Sequence, residues 1–332
     1  MARSRLRIAL VADELTRACL SHECTVLDVA GDDFSALSGA ARPDLLLVES
    51  AWHGIGGSWK GRIARYPAWM LRSNRRLRAL VAKARDLGIP AAFWNKEDGV
   101  HFPRFIDSAR LFDHVFTVDA NCLPRYRAEM GVQARLDVLP FPVQPAFHAF
   151  TGFHFERNDA NFVGSYSSHV HDARRAWQDM AFRAVLDAGM GLVVYDRNSN
   201  RQRQVYRYPD LPGLEVRAAV DHAATAQIYK TNLVSLNVNT VTDSETMFSR
   251  RLVEILACGG IAVTSPARSV DASFRDFCHV VSCDEEARAL FARLRHGPSA
   301  EDLDRAREGA RHVLANHTWA QRLDQLAAAL GC

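Results

Sequence analysis

The 332-residue chain is 48% hydrophobic and 24% charged, a globular composition that excludes disordered and collagen-like chains and leaves room for about two domains with separate cores. A net charge of +3 is too small to argue for nucleic acid, and no zinc-finger, RNA-binding or helix-turn-helix signature accompanies it. Seven cysteines, odd in number and without CxxC spacing, point to neither a disulfide framework nor a zinc site and are expected as reduced thiols. The apolar run Ile8 to Ala12 is much shorter than a signal-peptide core, and no stretch reaches membrane-spanning length, so a cytoplasmic location is expected.

Leu6 to Ala12 reads as a first buried strand, Thr25 to Val29 as a second and Pro43 to Glu49 as a third. Strands alternating with helical stretches predict a parallel sheet. Asp13 to Arg17 follows the first strand where a dinucleotide-binding fold carries GxGxxG, so no nicotinamide or flavin cofactor is expected. The loop Glu49 to Trp59 sets Trp52, His53 and Trp59 among glycines at a carboxyl edge. It is either a sugar-stacking surface, with His53 as a catalytic candidate, or a turn with its indoles packed inward. From Lys60 to Arg85 there are nine basic residues and no acidic one, interleaved with Tyr66 and Trp69. They face an anionic acceptor or lipid head groups, or form the solvated face of helices covering the sheet.

Ile89 to Trp94 is a strand whose end carries Lys96, Glu97, Asp98 and His101. Ionisable groups crowded at a carboxyl edge separate their pKa values and provide a general base, which makes Asp98, Glu97 and His101 catalytic candidates unless the loop is merely solvated. Asp113 to Asp119 is another strand, and Val138 to Pro142 closes this half. Val143 to Arg157, with Pro145, Gly152 and little periodicity, reads as the interdomain linker.

Asn161 to Tyr166 is a strand running into the small-residue turn at Gly164 and Ser165, followed by a helix from Asp172 to Leu186 and a strand from Gly191 to Tyr195. Arg174, Arg197 and Arg203 are phosphate partners or plain surface arginines. After a short helix at Asp221 to Tyr229 come a buried strand, Leu233 to Asn239, and the loop Thr242 to Phe248. The helix that follows, Phe248 to Gly260, is apolar except for its first turn and Glu254. A carboxylate in a buried helix must be paired or hydrogen-bonded, here with Arg250 one turn back or with a ligand. Ser249 fits the N-cap, Gly259-Gly260 stop the helix, and Ile261 to Thr264 resumes as a strand. The loop and helix start thus offer amides at a carboxyl edge, where α/β folds bind anions. The tail His317 to Leu330 is amphipathic, with Trp319, Leu323, Leu326 and Leu330 on one face.

Ser249-Arg250-Arg251, Glu254 and Ala257-Cys258-Gly259 resemble the donor-site helix of GT-B glycosyltransferases, in particular the spore-maturation (CgeB-like) group, which the string Phe93 to Asp98 also resembles. The resemblance implies an α/β fold of two doubly wound Rossmann-like domains facing across a cleft. Residues 1–150 would bind the acceptor, 151–310 the nucleotide sugar, and 311–332 would form a helix packing across both. Glu254 would bind the ribose hydroxyls, the amides of Met247, Phe248 and Ser249 the diphosphate, and Gly164 and Ser165 would form a donor-phosphate loop. Tyr195, Arg197, Asn239, Arg250 and Arg251 complete the donor-side set.

The implied reaction is transfer of a hexosyl-type sugar from a nucleotide-diphosphate sugar to a hydroxyl of a small molecule, glycan or protein, without cofactor or metal. Arginines and a helix end would stabilise the leaving diphosphate, and the only DxD pair, Asp302 and Asp304, falls in a late helix. Retaining GT-B families carry a second glutamate eight residues before the first, where this chain has Thr246, with Glu245 one position off. Donor sugar and stereochemistry stay open for that reason. The alternatives are a nucleotide-sugar epimerase of GT-B-like fold and a non-enzymatic two-domain sugar-binding protein.

Overall fold

Strands β1 (Arg7–Val11), β2 (Thr25–Asp28), β3 (Leu45–Glu49), β4 (Ala91–Asn95), β5 (His114–Thr117) and β6 (Arg135–Val138) pair in parallel in the order β2-β1-β3-β4-β5-β6. This computed structural model describes residues 6–39, 41–66 and 73–332, so Trp69 and Arg72 lie outside the described residues. Helices α1 (Glu14–Leu20), α2 (Arg75–Asp86), α3 (Phe102–Ala109) and α4 (Leu123–Met130) make the crossovers. Every residue of β3 is buried, as a parallel strand covered on both faces requires.

The second sheet joins β7 (Arg157–Gly164), β8 (Leu192–Asp196), β9 (Leu214–Ala218), β10 (Asn232–Asn237), β11 (Ile261–Thr264) and β12 (His279–Val280) in the parallel order β12-β11-β10-β7-β8-β9. Around it lie α5 (Asp172–Asp187), α6 (Thr225–Thr231), α7 (Arg250–Ala257), α8 (Arg268–Ser273), α9 (Asp284–Leu294) and α10 (Ala300–Asn316). In each sheet the strand order reverses once, between β1 and β3 and between β7 and β10. Loops leaving the carboxyl ends of those strands open a crevice, the usual binding position in such sheets.

The chain forms two units, Met1–Phe141 with Trp319–Cys332, and Pro142–Thr318, rather than dividing at 150 and 310. Residues 143–157 are not a linker. His148 is fully buried, and Phe150 packs so closely on Gly259 that a Cβ there would lie 2.3 Å from its ring, on a backbone already at a φ of +74°. Helix α11 (Trp319–Leu330) belongs to the first unit. Trp319 meets Trp94 edge-on at 5.4 Å, Arg322 Nε donates to the Pro140 carbonyl (2.9 Å) and Gln325 Nε2 to that of Val138 (2.7 Å).

Part of the basic stretch is paired with surface acids. Arg62 and Arg76 reach Asp32 (3.0 and 3.5 Å), Arg85 reaches Asp113 (3.7 Å), and Arg65 pairs with Asp107. These four are the ion pairs of a solvated face. All seven cysteines are free thiols, and no described helix is long and apolar enough to cross a membrane.

Candidate functional site

Helix α7 begins at the switch point of the second sheet, and side chains from the strand ends hold it there. Asn237 Nδ2 donates to Thr264 Oγ1 (2.8 Å), and the Asn239 carboxamide donates to the Ser265 carbonyl (3.2 Å) while accepting from the Ser249 amide (3.0 Å). Ser244 Oγ accepts from the amides of Thr246 and Met247 (3.3 and 3.1 Å). The side chain of Phe248 is buried against Phe274 and His317. The amides of Met247 and Ser249, expected to face a diphosphate, thus bond to Ser244 and Asn239 here, and the buried Asn239 holds the helix start. Ser249 occupies the N-cap without a side-chain capping bond. Glu245 lies on the surface, paired with Arg268 at 2.5 Å.

Glu254 is only 6% exposed, and its Oε1 accepts from His222 Nε2 at 2.8 Å, in the turn before α6. Burial raises the carboxyl pKa, but the His222 hydrogen bond and the nearby His148, His222 and Arg250 outweigh it, leaving the pKa lowered and the group ionised. Arg250 contributes through its field; the hydrogen-bonding partner is His222. Behind it, the His148 ring stands 4.8 Å from that of His222, with Nε2 2.8 Å from Thr225 Oγ1. Burial, and then the charge of His222 and Lys230 against that of Glu254, pushes His148 down to about 4, so it is neutral.

One turn toward the amino end of α7, Arg251 runs along the end of β7. Its Nε donates to the Val163 carbonyl (2.5 Å) and its guanidinium lies over the Phe162 ring (4.4 Å). A Cβ on Gly164 would stand 2.6 Å from the Phe162 ring and 2.7 Å from Arg251 Nη2, so a side chain there would disturb both. Arg174 Nη2 donates to the Ser165 carbonyl (2.9 Å), and the Arg197 amide donates to that of Gly164 (2.8 Å). Burial first, and then Arg174 and Arg197, pulls Arg251 down to about 10; burial also lowers Arg174. Among the described residues none of these three arginines is in an ion pair, and Arg174 Nε is buried without a partner. Arg251 and Arg174 are thus desolvated guanidiniums beside a glycine turn, with the exposed Arg197 next to them, an arrangement that can take a multiply charged oxyanion. Tyr195 turns away from them, its hydroxyl meeting Arg217 (3.2 Å).

At the switch point of the first sheet, Glu49 is fully buried and takes Lys96 Nζ (2.8 Å), Thr16 Oγ1 (2.6 Å) and the Asp13 amide (2.6 Å). Asp13 in turn accepts from the amide of Gly54 (2.8 Å) and those of Trp52 and His53 (both 3.3 Å), which sets the glycine loop. His53 itself is exposed, and Glu97 and His101 are half-buried. Trp59 is buried, its indole donating to the Val29 carbonyl (2.7 Å), and Trp52 packs on Phe105 and His101, so the indoles face inward. Asp98 is corrected most. It has no exposed surface, and Asn95 Nδ2 and the Tyr126 hydroxyl bond to its oxygens (2.7 and 2.8 Å). Burial pushes it up to about 7 against the hydrogen bonds from Thr117 and Tyr126. A carboxylate enclosed this way fixes the loop and does not touch an acceptor.

His148 and His222 were not legible as site residues, the first lying in an expected linker and the second in the expected short helix Asp221 to Tyr229, where it stands in the turn before α6. The abundance of phenylalanine from 141 to 155 was the available sign that this segment packs.

Residues 171–328, just under half of the chain, match the family described as Glycosyl transferase-like. No curated protein matches the sequence. An α-glucosyltransferase solved with UDP and a 13-mer DNA containing an HMU base superposes with a TM-score of 0.67 at 9% identity, over 98% of this chain and 100% of that one. HepE of Anabaena, in complex with UDP and glucose, gives 0.60 at 10% identity over 99% and 92%. AviGT4, a glycosyltransferase involved in avilamycin A biosynthesis, gives 0.55 at 14% over 98% and 97%. By these likenesses the chain has the GT-B fold of two doubly wound α/β domains, with a glycosyl transferase-like sequence match across most of the second.

Proposed function

We propose that the protein is a glycosyltransferase that takes its sugar from a nucleoside-diphosphate donor held by the second unit. The observation that carries this is the spacing of Arg251 and Glu254 on one face of α7, three residues apart, so that a cation and an ionised carboxylate stand side by side at the switch point. Arg251, Arg174 and Arg197 bind the diphosphate and neutralise it as it leaves, without a metal in the transfer step. Glu254 accepts from the ribose hydroxyls, with His222 fixing its orientation.

The acceptor and its base come from the first unit. His53 is the exposed candidate there, with Glu97 and His101 beside it in the loop after β4, and Asp98 supports that loop. The test is thermal stabilisation by a panel of nucleosides, nucleoside diphosphates and nucleotide sugars, beginning with UDP because two of the similar structures hold it. A ligand bound only to the native state raises the melting temperature with its concentration. Diphosphates should stabilise at much lower concentration than nucleosides. Incubating a stabilising nucleotide sugar without acceptor then separates transfer from epimerisation by product. If no nucleoside diphosphate stabilises the protein, the donor site is misplaced.

A further inference from the structure

Each of the two histidines behind Glu254 donates through its Nε2 atom. Thr225 Oγ1 gives its single hydrogen to the His222 carbonyl (2.7 Å) and therefore accepts from His148 Nε2 (2.8 Å). Glu254, ionised, only accepts, so His222 Nε2 donates to it (2.8 Å). That leaves the Nδ1 atom of each ring outside these bonds. Both Nδ1 atoms are buried without a hydrogen-bond partner, and His148 has no exposed surface. Two buried ring nitrogens without a partner in one cluster are rare in a native fold and call for an explanation. A donor atom from each of His148, His222 and Glu254 lies within 4.8 Å of the other two.

We propose that His148 and His222 bind a divalent transition-metal ion of the zinc class through their Nδ1 atoms, with Glu254 holding the His222 ring. Imidazole nitrogens suit zinc and its neighbours rather than magnesium or calcium. The other nitrogen of each ring is already anchored on an oxygen, Thr225 for His148 and Glu254 for His222, the outer arrangement that fixes metal-binding imidazoles. His222 sits in a turn and is partly exposed, whereas His148 is enclosed. Water fills the remaining positions. This site is separate from the transfer chemistry and touches the proposed donor reading only through Glu254.

Zinc chloride is titrated by calorimetry into the metal-stripped protein, and cobalt(II) is followed by its visible absorption. One equivalent should bind, with four-coordinate cobalt bands and no intense near-ultraviolet sulfur band, which would instead assign the ion to the cysteines and overturn the site. His148→Gln and His222→Gln should abolish binding, and Glu254→Gln should weaken it about ten- to a hundredfold. If His148→Gln does not fold, His222→Gln and the parent cobalt spectrum decide. No stoichiometric uptake, or uptake unchanged in the histidine variants, overturns the proposal. Nucleotide affinity measured on the same stripped protein reports the donor reading independently.

Discussion

His222 Nε2 and Glu254 Oε1, 2.8 Å apart, tie the turn before α6 to the second turn of α7. Glu254→Gln keeps an oxygen for His222 to donate to but loses the charge. Nucleoside-diphosphate affinity should fall about ten- to a hundredfold, since a hydrogen bond to a charged group contributes roughly 1.5 to 3 kcal/mol, with the circular dichroism spectrum unchanged. Calorimetry showing parental affinity in a folded variant would sink the ribose assignment.

Arg251→Met should remove discrimination between a nucleoside diphosphate and its nucleoside. The diphosphate loses at least about tenfold, as expected for a charge-assisted contact, while the nucleoside is little affected. Gly164→Ala should act in the same direction, because the new Cβ would press on Arg251 Nη2 from 2.7 Å. Equal losses for both ligands in these variants would remove the arginines from the phosphate site.

Asp98 makes stability depend on pH. Its folded pKa of about 7 lies above the ordinary 3.8, so between those values the native state holds a proton that the unfolded chain has lost. Stability therefore falls as pH rises from about 4 to about 7 and then levels off, at a total cost of roughly 4 kcal/mol. Asp98→Asn should abolish that slope and be more stable than the parent at pH 8. Urea unfolding at pH 5 and pH 8 measures it; parallel curves for the two proteins would refute the buried, raised carboxyl.

His53→Ala should lower the single-turnover rate about a hundred- to ten-thousandfold if it is the base, with nucleotide affinity unchanged. Asp98→Asn should stay near the parental rate, being enclosed. A large rate loss in Asp98→Asn alone, with the loop intact, would restore Asp98 as the base.

Turnover should survive EDTA, because Arg174, Arg197 and Arg251 supply the positive charge to the leaving diphosphate. An ion on His148 and His222 lies behind the ribose carboxylate and would shift KM at most. Loss of turnover on chelation, restored by magnesium or manganese, would contradict the arginine account.

Elements buried on both faces were legible from the chain. β10, α7 and β11 are near-continuous apolar runs, and β11 occupies the expected residues Ile261–Thr264. The edge strand β9 was not legible, because outward-facing residues such as Val216, 48% exposed, leave it without a buried run, and β12 is too short to show a period. Glu254 was legible as a carboxylate in need of a partner, but His222 stands 32 positions earlier in sequence, with no local pattern to link them. Asp98 was correctly placed at a strand end. What sealed it, the Tyr126 hydroxyl arriving from α4, is a tertiary contact that spacing does not encode.

The return of α11 makes the first unit discontinuous in sequence, whereas residues 142–318 form a contiguous segment. Without residues 319–332, Trp94 lacks the cover of Trp319, and the carbonyls of Val138 and Pro140 lack Gln325 and Arg322. A chain cut at residue 318 should therefore keep a protease-resistant carboxyl-terminal unit beside a digestible amino-terminal one. Pulsed proteolysis of the purified truncated chain would show it, and resistance of residues 6–141 would refute it.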